Sequence, residues 1–486
     1  MLFNSLEFLI FFPVVALLYF LLPHKYRWIM LLAASYVFYM GWNAAYALLL
    51  LASTAVTYFA SVFIDRNKKQ SAKKGFLIAS IVINLGILFT FKYFKFFTSG
   101  LYAALDMLEI SYTPVRYSLI LPVGISFYIF QALGYSIDVY RGDVPVQKNF
   151  GKYALFVSFF PQLVAGPIER SANLLPQFEE EHFFDRTRAS SGLRLMLWGY
   201  FKKIVIADTV CTAVNTVYND LSSFDGFAII LATFLFTVQI FCDFSGYSDI
   251  ARGCARIMGF ELMKNFDHPY FSTSIQEFWR KWHISLSTWF KDYVYIPLGG
   301  NRRGEARRCL NLMITFLISG LWHGADLTFI IWGGIHGAFQ VIGRRTLRLR
   351  QNLYHVVKLD KAPAIQNAFK IIFTFLLVSF AWIFFRANTM SDALYAITHL
   401  FDIESLNMSY LFTVLKQMFG VRAEMYRLLA TLPVFIIATV IDRYFSINRL
   451  LSKTNQTVRF IIYVLIAVYI LIFARAEMQD FIYFQF

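Results

Sequence analysis

The chain has 486 residues, of which 58% are hydrophobic, 19% aromatic and only 15% charged. That charged fraction lies far below the roughly 25% of an ordinary soluble protein, and no aqueous core of this size hides so much apolar surface, so a soluble globular enzyme is excluded. The formal charge of +15 would suit a nucleic-acid partner, but no soluble domain remains to carry one, and the lipid bilayer is the expected partner.

The first apolar run, Leu6–Leu22, has no basic segment before it and no small-residue cleavage site after it. It reads as a retained helix, not a secretory leader. Ala44–Ile64, Phe76–Phe97, Leu119–Ile137, Phe227–Phe244, Ala368–Phe385, Leu428–Ile441 and Val458–Ala474 follow, all nearly free of charge. Shorter runs at Trp28–Trp42, Tyr153–Ala165, Leu193–Val205, Cys309–Leu321 and Thr328–Ile342 leave three readings open: tilted spans, re-entrant segments or helices buried in the bundle. The expected fold class is an all-α polytopic membrane protein of about ten to twelve transmembrane helices with re-entrant pieces. With no linker or repeat, residues 1–486 form a single domain: N-terminal helices over 1–140, a core over 141–345, and C-terminal helices and tail over 346–486.

Charge sets the expected orientation. Arg66, Lys68, Lys69, Lys73 and Lys74 share one short loop, Arg302, Arg303, Arg307 and Arg308 another, and Arg344, Arg345, Arg348 and Arg350 a third. Basic short loops mark the cytoplasmic side, which puts both termini outside. Polar, Pro- and Gly-punctuated sequence from about Glu169 to His182 and from Asp249 to Gly304 then belongs to a cytosol-facing vestibule, since such backbone survives at membrane depth only inside protein or beside water. Arg386–Arg427, with balanced charges, reads as an amphipathic surface helix, a partner-docking element or an exposed loop.

Four of the eight His, namely His24, His182, His355 and His399, sit in polar loops or at segment ends and need no special role. His323 differs, because it follows the apolar run Cys309–Leu321 inside Trp322-His323-Gly324. An ionisable side chain at such a place points to function, and imidazole is the group best suited to proton transfer near neutral pH. A hydrogen bond between helices is the competing explanation. His336, in Gly334-Ile335-His336-Gly337, is a lesser candidate on the same grounds. His283 lies among Trp279, Arg280, Lys281 and Trp282, an interleaving of aromatics and cations that fits either an interfacial helix or the entrance for a nucleotide-phosphate donor. Asp243 and Asp249 frame Asp243-Phe244-Ser245-Gly246-Tyr247-Ser248-Asp249 and read as hydrogen-bonded carboxylates, with too few ligands for a metal. The four scattered Cys suggest neither a metal nor a disulfide framework, and no Walker-type loop or nucleophile elbow is present.

Taken in order, Pro122-Val123-Gly124-Ile125-Ser126-Phe127-Tyr128, Ala165-Gly166-Pro167-Ile168-Glu169-Arg170, the Asp243–Asp249 motif, Trp279–Trp289 running on to Asn301-Arg302, and Trp322-His323-Gly324 cover almost the whole chain. This set resembles the membrane-bound O-acyltransferase superfamily, and within it the bacterial membrane subunits of alginate O-acetyltransferases. The resemblance implies a ring of helices thinned in the middle over a cytosolic funnel. It implies His323 as the catalytic His and His283 as the second active-site His. Trp279, Arg280, Lys281, Trp282, Trp322, Asp243, Asn301 and, more weakly, His336 would contact substrate. The chain closes with Phe481-Ile482-Tyr483-Phe484-Gln485-Phe486, similar to a tail whose Tyr, in related D-alanylation systems, is proposed to carry the acyl group as an ester. An aromatic interfacial anchor is the plainer account of it.

The implied function is transfer of acetyl from a cytosolic thioester, acetyl-CoA, across the bacterial inner membrane for O-acetylation of an extracytoplasmic polysaccharide. No tightly bound cofactor or metal is expected, and a separate extracytoplasmic O-acetyltransferase is the expected protein partner. Rival readings are D-alanyl-type transfer from an acyl carrier protein, a lipid or protein acyltransferase of the same superfamily, and a lipid or sugar transporter. The last would call for inverted repeats, which the sequence does not display.

Overall fold

The computed structural model describes residues 1–115, 119–164, 166–405, 407–473 and 481–484, and the described residues form helices joined by loops without a strand. Ala165, Ala474, Gln485 and Phe486, which belong to segments singled out in the sequence, lie outside the described residues. Among the described residues six helices are long and apolar enough to cross a bilayer: Ala44–Arg66, Gln70–Met107, Gly226–Met258, Pro363–Arg386, Arg422–Phe445 and Gln456–Phe473. Leu6–Leu21 is apolar but shorter. His24–Met40, Ile125–Arg141, Arg186–Tyr200, Gly304–His323 and Leu327–Arg345 complete the bundle. The chain is a multi-pass membrane protein. Its outer helices turn Leu, Ile and Phe outward, as Phe460, Leu465 and Leu471 do on Gln456–Phe473, because lipid leaves no penalty for exposing them.

The helix expected to stop at Phe244 runs on to Met258. Its two carboxylates do not break it because a neighbouring helix answers each with a lysine. Lys203 Nζ lies 2.9 Å from Asp243, and Lys202 Nζ lies 2.6 Å from Asp249. Ion pairing across helices is what makes charged groups tolerable at this depth. Glycines bring the two helices close enough for it. A Cβ at Gly192 would stand 2.7 Å from the Gly253 carbonyl, and one at Gly199 2.7 Å from the Gly246 carbonyl.

A second close crossing joins Gly304–His323 to Leu327–Arg345. A Cβ at Gly333 would stand 2.2 Å from the Phe316 carbonyl and 3.1 Å from the Gly320 Cα. Neither backbone can retreat without moving its whole helix, so Gly333→Ala is expected to cost about 1–3 kcal/mol. The measurement is the melting temperature of detergent-solubilised protein, and an unchanged value would mean that this crossing is looser than the geometry implies.

Arg386–Arg427 folds into two short helices, Met390–Thr398 and Met408–Phe419. Each buries one face, Ala393 and Ala396 on the first and Val414, Met418 and Phe419 on the second. Leu394, Met408 and Phe412 stay exposed. Of the readings open for this stretch, amphipathic surface helices fit the fold.

Candidate active site

Gly304–His323 ends at His323, and the last carbonyls of a helix need partners from elsewhere. Here they come from one turn of another helix. Between Gln70–Leu88 and Phe94–Met107 the chain widens into a π-helical turn, Phe89–Tyr93, a distortion that recurs at functional sites. From that turn Lys92 donates to the carbonyls of Trp322 and His323, both at 2.8 Å, and Tyr93 donates to that of Leu321 at 2.9 Å. The backbone carrying His323 is thereby fixed.

The imidazole of His323 is 2% exposed and ringed by aromatics. Ring centroids of Trp322, Trp332 and Phe385 lie 4.9, 5.0 and 5.5 Å away, and His283 lies 6.3 Å away. His283 adopts a left-handed backbone (φ 43°) at the start of the short helix Ile284–Phe290. A side chain other than Gly pays for that conformation, and such strain gathers at working sites. Both ring nitrogens of His283 and His323, and the indole nitrogens of Trp322 and Trp332, are buried without a hydrogen-bond partner among the described residues. Buried polar groups are rarely left so, which makes them the spare donors and acceptors a bound substrate would use.

Two cavities approach this centre. The larger, about 950 Å³, runs beside residues 308–319 of Gly304–His323. Arg280, Lys291, Arg308, Arg344, Arg350 and Lys370 line it, together with Asn301 and Trp279, and no acidic side chain among the described residues does. Trp279 donates its indole N–H to His336 Nδ1 at 3.2 Å, and His336 packs on Trp332, which in turn packs on His323. The smaller cavity, about 290 Å³, meets the last turn of the same helix at Trp322. Trp42, Lys92 and the segment 120–127 line it, and so does Tyr483. Trp42 adjoins the end of Ala44–Arg66 opposite its basic loop, so the small cavity belongs to the far end of the bundle.

The tail is the least expected component. Phe481 is fully buried, with its ring 4.5 Å from Tyr247 and 5.7 Å from Phe244. The Ile482 N–H donates to Asp243 Oδ2 at 2.8 Å. Tyr483 then projects among the histidines, its ring 5.6 Å from His323 and 6.3 Å from His283. The described part of the tail is therefore no interfacial anchor.

The sequence-derived site residues divide accordingly. His323, His283, Trp322 and Tyr483 come together at the centre, His336 stands one ring behind, and Trp279, Arg280 and Asn301 line the basic cavity. Three do not fit the contact with substrate expected of them. Asp243 is committed to Lys203 and to the tail. Lys281 points to Glu277, 2.6 Å away. Trp282 is fully buried against Phe266, Phe278 and Trp382. The helix Ile275–Lys281 breaks at this point, so alternating aromatics and cations part between core and surface. Lys92 and Lys203 were not singled out in the sequence, although cations inside apolar runs were the available signal.

Residues 145–385 match the membrane-bound O-acyltransferase family. The chain is 40% identical to the probable alginate O-acetylase AlgI of Azotobacter vinelandii, over 81% of this chain and 76% of that protein. The chain belongs to the membrane-bound O-acyltransferase family. As a member it is an acyltransferase enzyme of the membrane, and a transporter reading is set aside. It is also 33% identical to the peptidoglycan O-acetyltransferase of Helicobacter pylori, over 85% of this chain and 82% of that protein. Against the teichoic acid D-alanyltransferase of Streptococcus thermophilus the identity is 28%, over 48% of this chain and 59% of that protein.

Proposed function

We propose that this acyltransferase moves acetyl from acetyl-CoA in the cytosol to an extracytoplasmic polysaccharide of a bacterial envelope, through Tyr483. In this reading both termini and the small cavity face outward, in the inner membrane, and the basic cavity faces the cytosol. Its six lining cations outnumber the one carboxylate paired with them, Glu305 beside Arg344 and Arg308, and so suit the phosphates of a nucleotide thioester. The acetylating relatives match more of the chain, at higher identity, than the D-alanylating one, which favours acetyl over D-alanyl.

The observation that carries the reading is the phenol of Tyr483 beside His323, where the small cavity begins. His323 accepts the phenolic proton as the Tyr483 oxygen attacks the thioester carbonyl. The carbon–sulfur bond breaks, the thiolate takes the proton back from His323, and free CoA leaves with a tyrosyl ester in its place. An acceptor hydroxyl, on the polysaccharide or on a separate extracytoplasmic transferase, then attacks that ester and restores the phenol. Unpartnered indole N–H groups of Trp322 and Trp332 are available to the oxyanion formed in each half.

The experiment supplies inverted membrane vesicles with acetyl-CoA labelled in the acetyl group and follows label bound to the chain. Wild type is expected to acquire label, and Tyr483→Phe to acquire none. Equal labelling of the two would sink the tyrosyl ester. No label and no released CoA from wild type would exclude acetyl-CoA as the sufficient donor.

A further inference from the structure

Asp243 is a buried carboxylate in the middle of Gly226–Met258. A charge in such a place must have its lone pairs met, and the partners are few. Lys203 reaches Oδ1 at 2.9 Å and is shared with Asp208 at 2.8 Å. Lys203 is itself fully buried, on a π-helical turn, Phe201–Ala207, that interrupts its helix. Oδ2 receives its hydrogen bond from the backbone N–H of Ile482, 239 residues away. The next carboxylate on the helix, Asp249, has its own lysine in Lys202. Asp243 is thus the carboxylate completed by the tail.

We infer that Asp243, held by the shared Lys203, is a latch that docks the C-terminal tail inside the bundle and so positions Tyr483 beside His323. The latch engages the main chain, not a side chain, so it fixes the tail's depth whatever residue follows Ile482. Phe481 seats in the aromatic pocket of Phe244 and Tyr247, on the same helix as Asp243, and sets the tail's rotation. Withdrawal of the tail would leave Oδ2 facing the core without its donor, and the cost of that holds the tail in place. The docking itself rests on the geometry alone. Its consequence for turnover rests on the tyrosyl ester proposed above.

Asp243→Ala leaves Lys203 paired with Asp208, so the fold has a balanced ion pair to keep, and Asp243→Asn preserves shape. Hydrogen exchange read by mass spectrometry on the full chain in nanodiscs reports the C-terminal peptide directly. Asp243→Ala is expected to speed exchange there by about tenfold to a hundredfold, and Asp243→Asn by less. In the same proteins, kcat for CoA release falls in Asp243→Ala while KM for acetyl-CoA stays within about twofold, because the basic cavity is untouched. Tyr483→Phe keeps the protection of wild type. If the C-terminal amides of Asp243→Ala stay as protected as those of wild type, the latch does not exist, whatever Tyr483→Phe does. If they are exposed while Tyr483→Phe turns over at the wild-type rate, the latch stands and the tyrosyl ester falls.

Discussion

His323→Gln is expected to lower acyl transfer by about 10³-fold with the protein still folded. Glutamine matches imidazole closely in length and retains a donor and an acceptor, so it tests the proton-accepting role apart from the packing one. The ring it replaces touches Trp322, Trp332, Phe385 and Tyr483 and, among the described residues, no hydrogen-bond partner. A purely structural His would have been expected to bridge two helices with its nitrogens, and this one bridges none. Release of free CoA by purified protein measures the effect, with thermal unfolding as the control for folding. Activity within tenfold of wild type in His323→Gln would falsify the base assignment and return the residue to packing.

Much of this centre was legible in the sequence because its chemistry is unusual for its surroundings. His323, His283 and His336 stand out inside apolar or aromatic runs, and all three are buried at the core. In the sequence the basic loops mark only the cytoplasmic side, and three of their residues, Arg308, Arg344 and Arg350, line the large cavity. What escaped was whatever depends on a partner far along the chain. Hydropathy ended the helix at Phe244 because the window cannot see Lys202 and Lys203, some 40 residues earlier, supplying the counter-charges. The interleaved Trp279–Trp282 stretch read as one surface, but the break after Lys281 sends Trp282 inward and Arg280 into the cavity. The glycine pairs at 192, 199, 246 and 253 repeat at the same spacing in both helices, yet only the crossing reveals that each meets a backbone carbonyl of the other. Asp243 was singled out for the right chemistry and the wrong ligand, since the group it holds is the chain's own tail.

The same logic of distant partners makes Lys92→Met a severe change, expected to reduce kcat by about 10²-fold with little effect on KM for the thioester. Lys92 does not touch the basic cavity, so donor binding has no reason to suffer. Its ammonium holds the carbonyls of Trp322 and His323, and no other described side chain caps that pair. Methionine fills the space but leaves both acceptors unmet at the edge of the small cavity, where the last turn would loosen to find new partners. A shift of about 1 Å in a catalytic group is enough to cost that factor. Arginine offers donors of similar reach in a planar fork, so Lys92→Arg should recover part of the rate, whereas a lysine present only to fill volume would be replaced without loss by methionine. Steady-state kinetics on the three proteins separates these outcomes. Equal kcat in wild type and Lys92→Met would show that Tyr93 alone, through the Leu321 carbonyl, suffices to hold His323 in place.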